Sequence, residues 1–183
     1  DGNRRWAKNR CLPIIKGHKK GSNNLRKIVA KCNEIGIKEL TVFAFSTENW
    51  NRMPKEVSAL LELIERFLKS EIAELNKNNI KFQVIGEKSK FKSSLINLLN
   101  YSEKVTTNNN GMILNVSLNY GGKIDMVFSA RQIAKKVKEN KLDIKDINDS
   151  IFRENLLSAN INDVDLVIRT SGEQRISNFL FWQ

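Results

Sequence analysis

Three polar segments of this chain carry residues that suit the binding of phosphate groups. The first, residues 1–6 (DGNRRW), joins a carboxylate and a Gly-Asn turn to two arginines at the start of a predicted helix. Backbone N–H groups at a helix N-terminus bind anions, and arginine adds paired hydrogen bonds to phosphate oxygens. A carboxylate beside such a site is a typical Mg²⁺ ligand, because the ion bridges carboxylate and diphosphate. The alternative is a surface turn with solvated arginines.

The only histidine of the chain, His18, follows Gly17 in the run KGHKKG and lies at the predicted start of a helix. There it would donate a hydrogen bond to a phosphate beside the helix N-terminus. The alternative is a residue of the first helical turn with no catalytic task. The pattern alone does not separate the two.

The second segment, residues 45–52 (FSTENWNR), gathers polar side chains directly after a hydrophobic strand. Trp50 would line one side of a site for an apolar ligand, while Ser46 and Asn49 would orient a polar head group. The alternative is an ordinary strand-to-helix loop with a partly buried tryptophan.

The third segment, residues 169–177 (RTSGEQRIS), places Arg169, Arg175 and Ser177 around Gly172. Two arginines and a hydroxyl around a glycine turn indicate a second anion site. The alternative is surface ion pairing with Glu173. Together, two anion sites, one carboxylate and nearby apolar residues suit two diphosphate heads that share a cleft with a long apolar tail.

Alternating helices and strands position these segments. The pattern predicts a mostly parallel sheet with helices on both faces, an α/β architecture. Because parallel sheets place their working loops at the carboxyl ends of the strands, the three segments are expected to meet at one rim. Gly36 is expected just beyond a helix end. The predicted helices cover residues 19–35, 55–76, 91–105, 120–137 and 150–157, and the predicted strands cover 40–45, 80–85, 112–118 and 165–169.

The composition narrows the function classes. The 183 residues suit a single domain, and a net charge of +11 calls for an anionic partner: nucleic acid, an anionic membrane surface or phosphorylated small molecules. The aromatic residues are not interleaved along a basic stripe, and no nucleic-acid motif is present, so nucleic acid is disfavoured. Cys11 and Cys32 predict reduced thiols in a reducing compartment. No apolar run is long enough to span a membrane.

The segments DGNRRWA, GHKKG, FSTENWNR, NYGG and DLVIRTSGEQRISNFLFWQ, in this order and spacing, resemble the cis-prenyltransferases, the family of bacterial undecaprenyl diphosphate synthase. The resemblance covers essentially the whole chain. It implies that isopentenyl diphosphate is added repeatedly, in cis, to an allylic diphosphate such as farnesyl diphosphate. It also implies Mg²⁺ as cofactor, a homodimer, and a cytoplasmic enzyme that contacts the membrane through its lipid product.

The resemblance also assigns roles to individual residues. Asp1 would bind Mg²⁺, and Asn49 would match the family's proton acceptor. A neutral amide has almost no basicity, so Asn49 is expected instead to orient a water or a phosphate oxygen that takes the proton. An apolar tunnel is expected between the helix from Val57 and the strand from Met112. The allylic pocket would comprise Gly2, Asn3, Arg4, Arg5, Trp6 and His18; further substrate contacts would be Ser46, Thr47, Glu48, Trp50 and Arg52; and the isopentenyl diphosphate site would comprise Arg169, Arg175, Ile176 and Ser177.

The chain departs from the family pattern at three places. Ile14 stands where the family has an arginine. The family's strand before DGN is absent, and so is its segment beyond Gln183 with a second Mg²⁺-binding glutamate. A single, incomplete domain is therefore expected. Two other functions remain: a catalytically silent partner subunit, against which Asp1 and the arginine sites argue, and a basic nucleic-acid-binding domain.

Overall fold

The structure, a computed structural model, describes residues 2–183. Asp1, the expected Mg²⁺ ligand, lies outside the described residues. Short 3₁₀ helices cover Thr47–Asn51 and Ile144–Asp146. The helices and strands are α1 (Asn3–Lys8), α2 (Ile14–Glu34), β1 (Glu39–Ser46), α3 (Pro54–Lys77), β2 (Lys81–Ile85), α4 (Ser93–Val105), β3 (Ile113–Tyr120), α5 (Gly122–Lys138) and α6 (Asp149–Glu154).

The described residues form a parallel sheet of three strands in the order β1-β3-β2. The predicted α/β architecture is thereby confirmed. Ser46 at the end of β1 is paired with Tyr120 at the end of β3, so the segments that follow these two strands begin side by side. Within residues 2–183, no helix combines the length and the apolar character needed to cross a bilayer.

One hydrophobic core joins the sheet to α3 and α4. Helical spacing places Val57, Leu60, Leu68 and Leu75 on one face of α3, and all four are buried. Their burial supplies most of the stability of this long helix, because isolated helices are marginal in water. The buried residues of the sheet and α4 in the same cluster include Phe45, Phe82, Leu95, Leu99, Leu114 and Leu118.

The end of α2 forms as the sequence predicts. Gly36 has φ +80°, a left-handed conformation that glycine adopts without a steric penalty. Its N–H donates to the carbonyl of Asn33, and the N–H of Ile37 donates to that of Cys32. This pair of hydrogen bonds is a Schellman motif, which ends the helix and turns the chain toward β1.

Two sequence-based expectations are wrong. The segment 165–169 is irregular, and Leu166, Val167 and Ile168 are 74%, 56% and 79% exposed. A strand needs a neighbouring strand for its hydrogen bonds, and none in the described residues pairs with this segment. The second error concerns His18, which lies one turn inside α2, because that helix begins at Ile14 and not at His18. The N-terminus of α2 therefore does not lie at His18.

A buried polar cluster connects α5 to the C-terminal part of the chain. Asp125 is only 1% exposed and accepts hydrogen bonds from the Tyr120 hydroxyl at 2.9 Å, the Leu157 N–H at 2.6 Å and the Ser158 hydroxyl. Gln183 in turn donates to the Ser158 hydroxyl at 2.6 Å. Burial, together with the charge of Asp125, raises the pKa of Tyr120 far above its ordinary value, so its hydroxyl remains a donor.

Candidate active site

The first polar segment is held in place by close packing of α1 on α2. Two glycines of α2, one turn apart, face Asn3: a methyl group at Gly17 would lie 2.0 Å from the Asn3 carbonyl oxygen, and one at Gly21 would lie 2.5 Å from its Nδ2. Gly17 allows the two backbones to approach, and Gly21 leaves room for the Asn3 side chain. Gly2 has φ +74° and lies against Ser171, where a methyl group would come within 2.0 Å of the hydroxyl. The segment therefore touches both α2 and the third polar segment.

A carboxylate at the start of α3 lies close to three of the predicted substrate-binding residues. Glu56 Oε1 lies 3.1 Å from Arg52 Nη1, 3.4 Å from Arg4 Nε and 3.8 Å from His18 Nε2. The Glu56 side chain is only 13% exposed. We call these four residues the Glu56 cluster. It brings together side chains from three different segments of the chain and concentrates positive charge at one place.

His18 is neutral near pH 7 in this cluster. Burial is the largest cause that lowers its pKa below the ordinary value of 6.5, and the charges of Arg52 and Arg4 lower it further, against the opposing effect of Glu56. His18 Nε2 is buried without a hydrogen-bond partner among the described residues. A buried polar atom that lacks a partner is uncommon and calls for an explanation. An anionic ligand oxygen would satisfy it.

The third polar segment is fastened to the first by a second carboxylate. Glu173 Oε1 lies 2.7 Å from Arg5 Nη2, and Glu173 Oε2 lies 2.7 Å from Arg175 Nη2. We call these three residues the Glu173 bridge. Arg5 also donates to the carbonyl of Ser171 at 3.2 Å. The sequence alternative of ion pairing with Glu173 is therefore correct, and the same contact joins two predicted anion sites.

Arg169 makes hydrogen bonds to other residues of the same loop, 169–177. Its Nη1 donates to the Ser177 hydroxyl at 2.7 Å and to the carbonyl of Arg175. Ile176, between these partners, is 48% exposed. Arg169 thus closes the loop 169–177 on itself, while Arg175 extends outward with 69% of its side chain exposed.

The second polar segment is a capped turn at the end of β1. The Ser46 side chain accepts from the backbone of Asn49, and the Ser46 N–H donates to Asn49 Oδ1 at 3.2 Å. Because the amide oxygen of Asn49 is engaged, its Nδ2 group is the part that can serve a ligand, as a donor. This geometry agrees with the expectation that Asn49 is not itself a base.

Glu48 ties the second segment to the chain after the third. Burial acts to raise its pKa, but hydrogen bonds from its own backbone, Asn178, Ser46 and Thr47 outweigh burial, and the pKa lies below its ordinary value. The Asn178 Nδ2 donates to Glu48 at 2.6 Å, while its Oδ1 accepts from the N–H of Lys123. Glu48 is therefore ionised near pH 7 and positions this turn.

The two tryptophans of the predicted site have structural contacts. Trp50 packs edge-on against Phe45, with ring centroids 5.1 Å apart, and its Nε1 donates to Asn119 Oδ1 at 2.7 Å. It is partly buried and packs against the hydrophobic core. Trp6 carries the guanidinium of Arg10 over its ring, 4.6 Å from the centroid.

The expected convergence of the three segments is confirmed for the described residues. The Glu56 cluster joins the first and second segments, and the Glu173 bridge joins the first and third. Sequence reasoning missed Glu56 and did not foresee that one glutamate contacts both anion sites. Arg52 and Glu56 are four residues apart at a helix start, and this spacing is the signal that would have indicated the ion pair of Glu56.

The described residues supply no complete metal site. They contain no group of three or more His, Cys, Asp or Glu side chains placed to hold an ion. The acidic residues near the site, Glu48, Glu56 and Glu173, are engaged by Asn178 or by cationic side chains. Mg²⁺ commonly binds one or two carboxylates together with substrate phosphates. The donor set therefore fits Mg²⁺ only if Asp1 and diphosphate oxygens complete it.

Comparison with known proteins agrees with these observations. A family model described as "Putative undecaprenyl diphosphate synthase" matches residues 1–183. The farnesyl-diphosphate-specific ditrans,polycis-undecaprenyl-diphosphate synthase of Vibrio parahaemolyticus is 46% identical over the whole chain, which spans 73% of that protein. The isoprenyl transferase of Bacillus subtilis is 44% identical over the whole chain, which spans 70% of that protein.

Solved structures show the same likeness. The crystal structure of lavandulyl diphosphate synthase from Lavandula x intermedia, in complex with dimethylallyl diphosphate, superposes with a TM-score of 0.95 at 40% identity and covers 100% of this chain and 79% of that one. A probable undecaprenyl diphosphate synthase from Campylobacter jejuni gives a TM-score of 0.76 at 31% identity, with 89% and 75% of the two chains covered.

Proposed function

This chain belongs to the undecaprenyl diphosphate synthase family of cis-prenyltransferases, and we propose that its polar rim binds the two diphosphate substrates of that reaction. The enzyme adds isopentenyl diphosphate repeatedly, in cis, to farnesyl diphosphate and yields a long-chain polyprenyl diphosphate. Relatives at 44–46% identity over the full chain are named for this activity or for isoprenyl transfer. The product is undecaprenyl diphosphate, the precursor of the lipid carrier for cell-wall synthesis.

The observation that carries the site assignment is the juxtaposition of the Glu56 cluster and the Glu173 bridge. Arg4 and Arg5 are adjacent in α1, yet Arg4 contacts the cluster and Arg5 contacts the bridge. The two anion sites are therefore neighbours joined through α1. A condensation between two diphosphates requires that both head groups be held at once, with the reacting carbons close together. The lavandulyl enzyme is a relative solved with an allylic diphosphate, which supports the same ligand class here.

The chemical step makes different demands on the two sites. Cleavage of the allylic C–O bond places negative charge on the departing diphosphate. Arg4, Arg5 and Arg52 stabilise that charge with charge-assisted hydrogen bonds, and His18 Nε2 contributes a further polar contact. Arg169, Arg175 and Ser177 hold the diphosphate of isopentenyl diphosphate, whose double bond attacks the allylic carbon.

Loss of a proton from the attacking substrate completes each condensation. Asn49 keeps its oxygen on the Ser46 N–H and presents its amino group to a phosphate oxygen. The phosphate oxygen so oriented, or a water beside it, takes the proton. Trp50, anchored to Asn119, limits the apolar side of the site.

The growing chain requires an apolar path. Val57 and Leu60 of α3 belong to the same hydrophobic cluster as Leu114 and Leu118 of β3. We place the path between these two elements, in line with the expectation from the sequence. Their aliphatic side chains offer no nucleophile or base that would intercept a reactive allylic intermediate.

Mg²⁺, the expected cofactor, neutralises and polarises the departing diphosphate when bound. Asp1 and substrate oxygens would hold it. We further propose a single cis-prenyltransferase domain that acts as a homodimer in the cytoplasm and contacts the membrane when its lipid product is released. Sedimentation at micromolar concentration tests the dimer, and a monomer there would contradict it.

The activity is tested by incubation with radiolabelled isopentenyl diphosphate, farnesyl diphosphate and Mg²⁺, with products sized by chromatography. We expect a ladder of elongated diphosphates that ends at the undecaprenyl length and requires farnesyl diphosphate. A parallel reaction with a chelator in place of Mg²⁺ tests the cofactor. Absence of incorporation with all components present would contradict the proposed function.

A further inference from the structure

Glu173 lies between two arginines that the proposed function assigns to different substrates. Arg5 belongs to the allylic site and Arg175 to the isopentenyl diphosphate site, and each lies 2.7 Å from a different oxygen of the same carboxylate. The three residues carry a combined formal charge of +1. The bridge is therefore still attractive to a diphosphate, although it contains a carboxylate.

The carboxylate is the fixed part of this arrangement. The Glu173 side chain is 16% exposed, whereas Arg5 is 58% and Arg175 is 69% exposed. Long, exposed arginine side chains have many accessible rotamers, which must be given up when a ligand is bound. Contacts with this one partly buried carboxylate restrict both arginine side chains before either ligand arrives.

The backbone aims Glu173 toward α1. Ser171 and Gly172 have φ values of +73° and +67°, two successive left-handed residues that produce a sharp turn. Arg5 donates to the carbonyl of Ser171 on one side of this turn and to Glu173 on the other. A serine in the left-handed region is uncommon, and such strain is often found at functional sites.

We propose that Glu173 is a positioning residue that orients Arg5 toward the allylic diphosphate and Arg175 toward isopentenyl diphosphate. The proposal rests on the proposed function. Glu173 acts through the arginines and does not itself touch substrate. Replacement of Glu173 should therefore lower the affinity for both ligands, even though it also removes a negative charge from the neighbourhood of two diphosphates.

The test is the affinity of Glu173→Gln for farnesyl diphosphate and for isopentenyl diphosphate, each measured alone by calorimetric titration. Because both ion pairs are partly exposed, we expect each dissociation constant to rise only about three- to tenfold. The matched control is Glu71→Gln, which removes a carboxylate of similar exposure, 12%, from an arginine pair with Arg26 elsewhere on the surface. It should leave both affinities unchanged.

Double variants separate positioning from a general effect on the loop. In an Arg5→Ala background, Glu173→Gln should no longer change the affinity for farnesyl diphosphate. In an Arg175→Ala background, it should no longer change the affinity for isopentenyl diphosphate. If Glu173 only maintained the loop structure, Glu173→Gln would lower the affinities in those two backgrounds as well.

The outcomes are distinct. If the unaltered chain binds neither ligand, the proposed function and this inference both fall. If it binds both ligands but Glu173→Gln leaves either affinity unchanged or makes it tighter, the bridge does not position the two arginines, while the proposed function stands. Loss of affinity that persists in both arginine backgrounds overturns the inference in the same way.

Discussion

Replacement of Asp125 by alanine should destabilise the protein strongly. The carboxylate is 1% exposed and accepts hydrogen bonds from Tyr120, Leu157 and Ser158. Hydrogen bonds to a charged group contribute roughly 1.5–3 kcal/mol each, but burial of the carboxylate itself is unfavourable and offsets part of their sum. Alanine would leave the buried hydroxyls of Tyr120 and Ser158 and the partly buried N–H of Leu157 without this acceptor. We expect the free energy of unfolding to fall by about 3–5 kcal/mol, a large part of the roughly 5–15 kcal/mol typical of a domain.

Urea denaturation followed by circular dichroism measures this effect. Asp125→Asn keeps one acceptor oxygen and should lose less, about 1–3 kcal/mol. Asp163→Asn is the control: that side chain is 74% exposed and pairs with Arg153, so its loss should change stability by at most about 1 kcal/mol. If Asp125→Asn is as stable as Asp163→Asn, the three hydrogen bonds do not stabilise the fold as argued.

Three further predictions concern the site. Burial lowers the pKa of His18 below 6.5, so His18 binds a proton more readily in the unfolded chain, and the free energy of unfolding should fall as the pH drops below about 6.5. The urea midpoint of His18→Gln should therefore depend less on pH between about 7.5 and 5.5 than that of the unaltered chain. Asn49→Asp keeps the oxygen that caps the turn but loses the amino group, so turnover in the radiolabel assay should fall at least about tenfold with the urea midpoint nearly unchanged, and full turnover would refute the donor role. In Gly17→Ala the new methyl group would lie 2.0 Å from the Asn3 backbone, so the free energy of unfolding should fall by about 1–3 kcal/mol. Gly21→Ala contacts only the Asn3 side chain and should lose less, and equal losses in urea denaturation would contradict this account of α1 packing.

The elements that the sequence predicts well are those whose signal is local. Apolar residues such as Val57, Leu60, Leu61 and Ile64 recur at helical spacing along α3, and the helix runs from Pro54 to Lys77 against a predicted 55–76. Gly36 ends α2 because a left-handed residue is needed there. The strands 40–45 and 80–85 are confirmed within two residues at each end, since short β-rich runs between helices have few alternatives in an α/β fold.

What the sequence could not supply depends on distant partners. Residues 165–169 have strand composition, but composition does not provide a neighbouring strand, and the segment is irregular. The arginines were recognised individually, because arginine near glycine indicates an anion site. Ion pairing of Glu173 within its own segment was also foreseen, but its contact with Arg5, 168 positions away, was not, because no local pattern reveals it.

Two carboxylates within a diphosphate-binding rim have a physical reason. Without ligand, Arg4, Arg52 and any protonated His18 would repel one another in a partly buried site, and the same holds for Arg5 beside Arg175. Glu56 and Glu173 each offset part of that repulsion, so the cationic side chains stay close together before substrate arrives. A diphosphate carries more negative charge than one carboxylate and offers more oxygens, so it competes well for the same N–H groups. Acidic residues thus hold the cationic side chains together before binding, and a single carboxylate carries too little negative charge to prevent a diphosphate from taking its place.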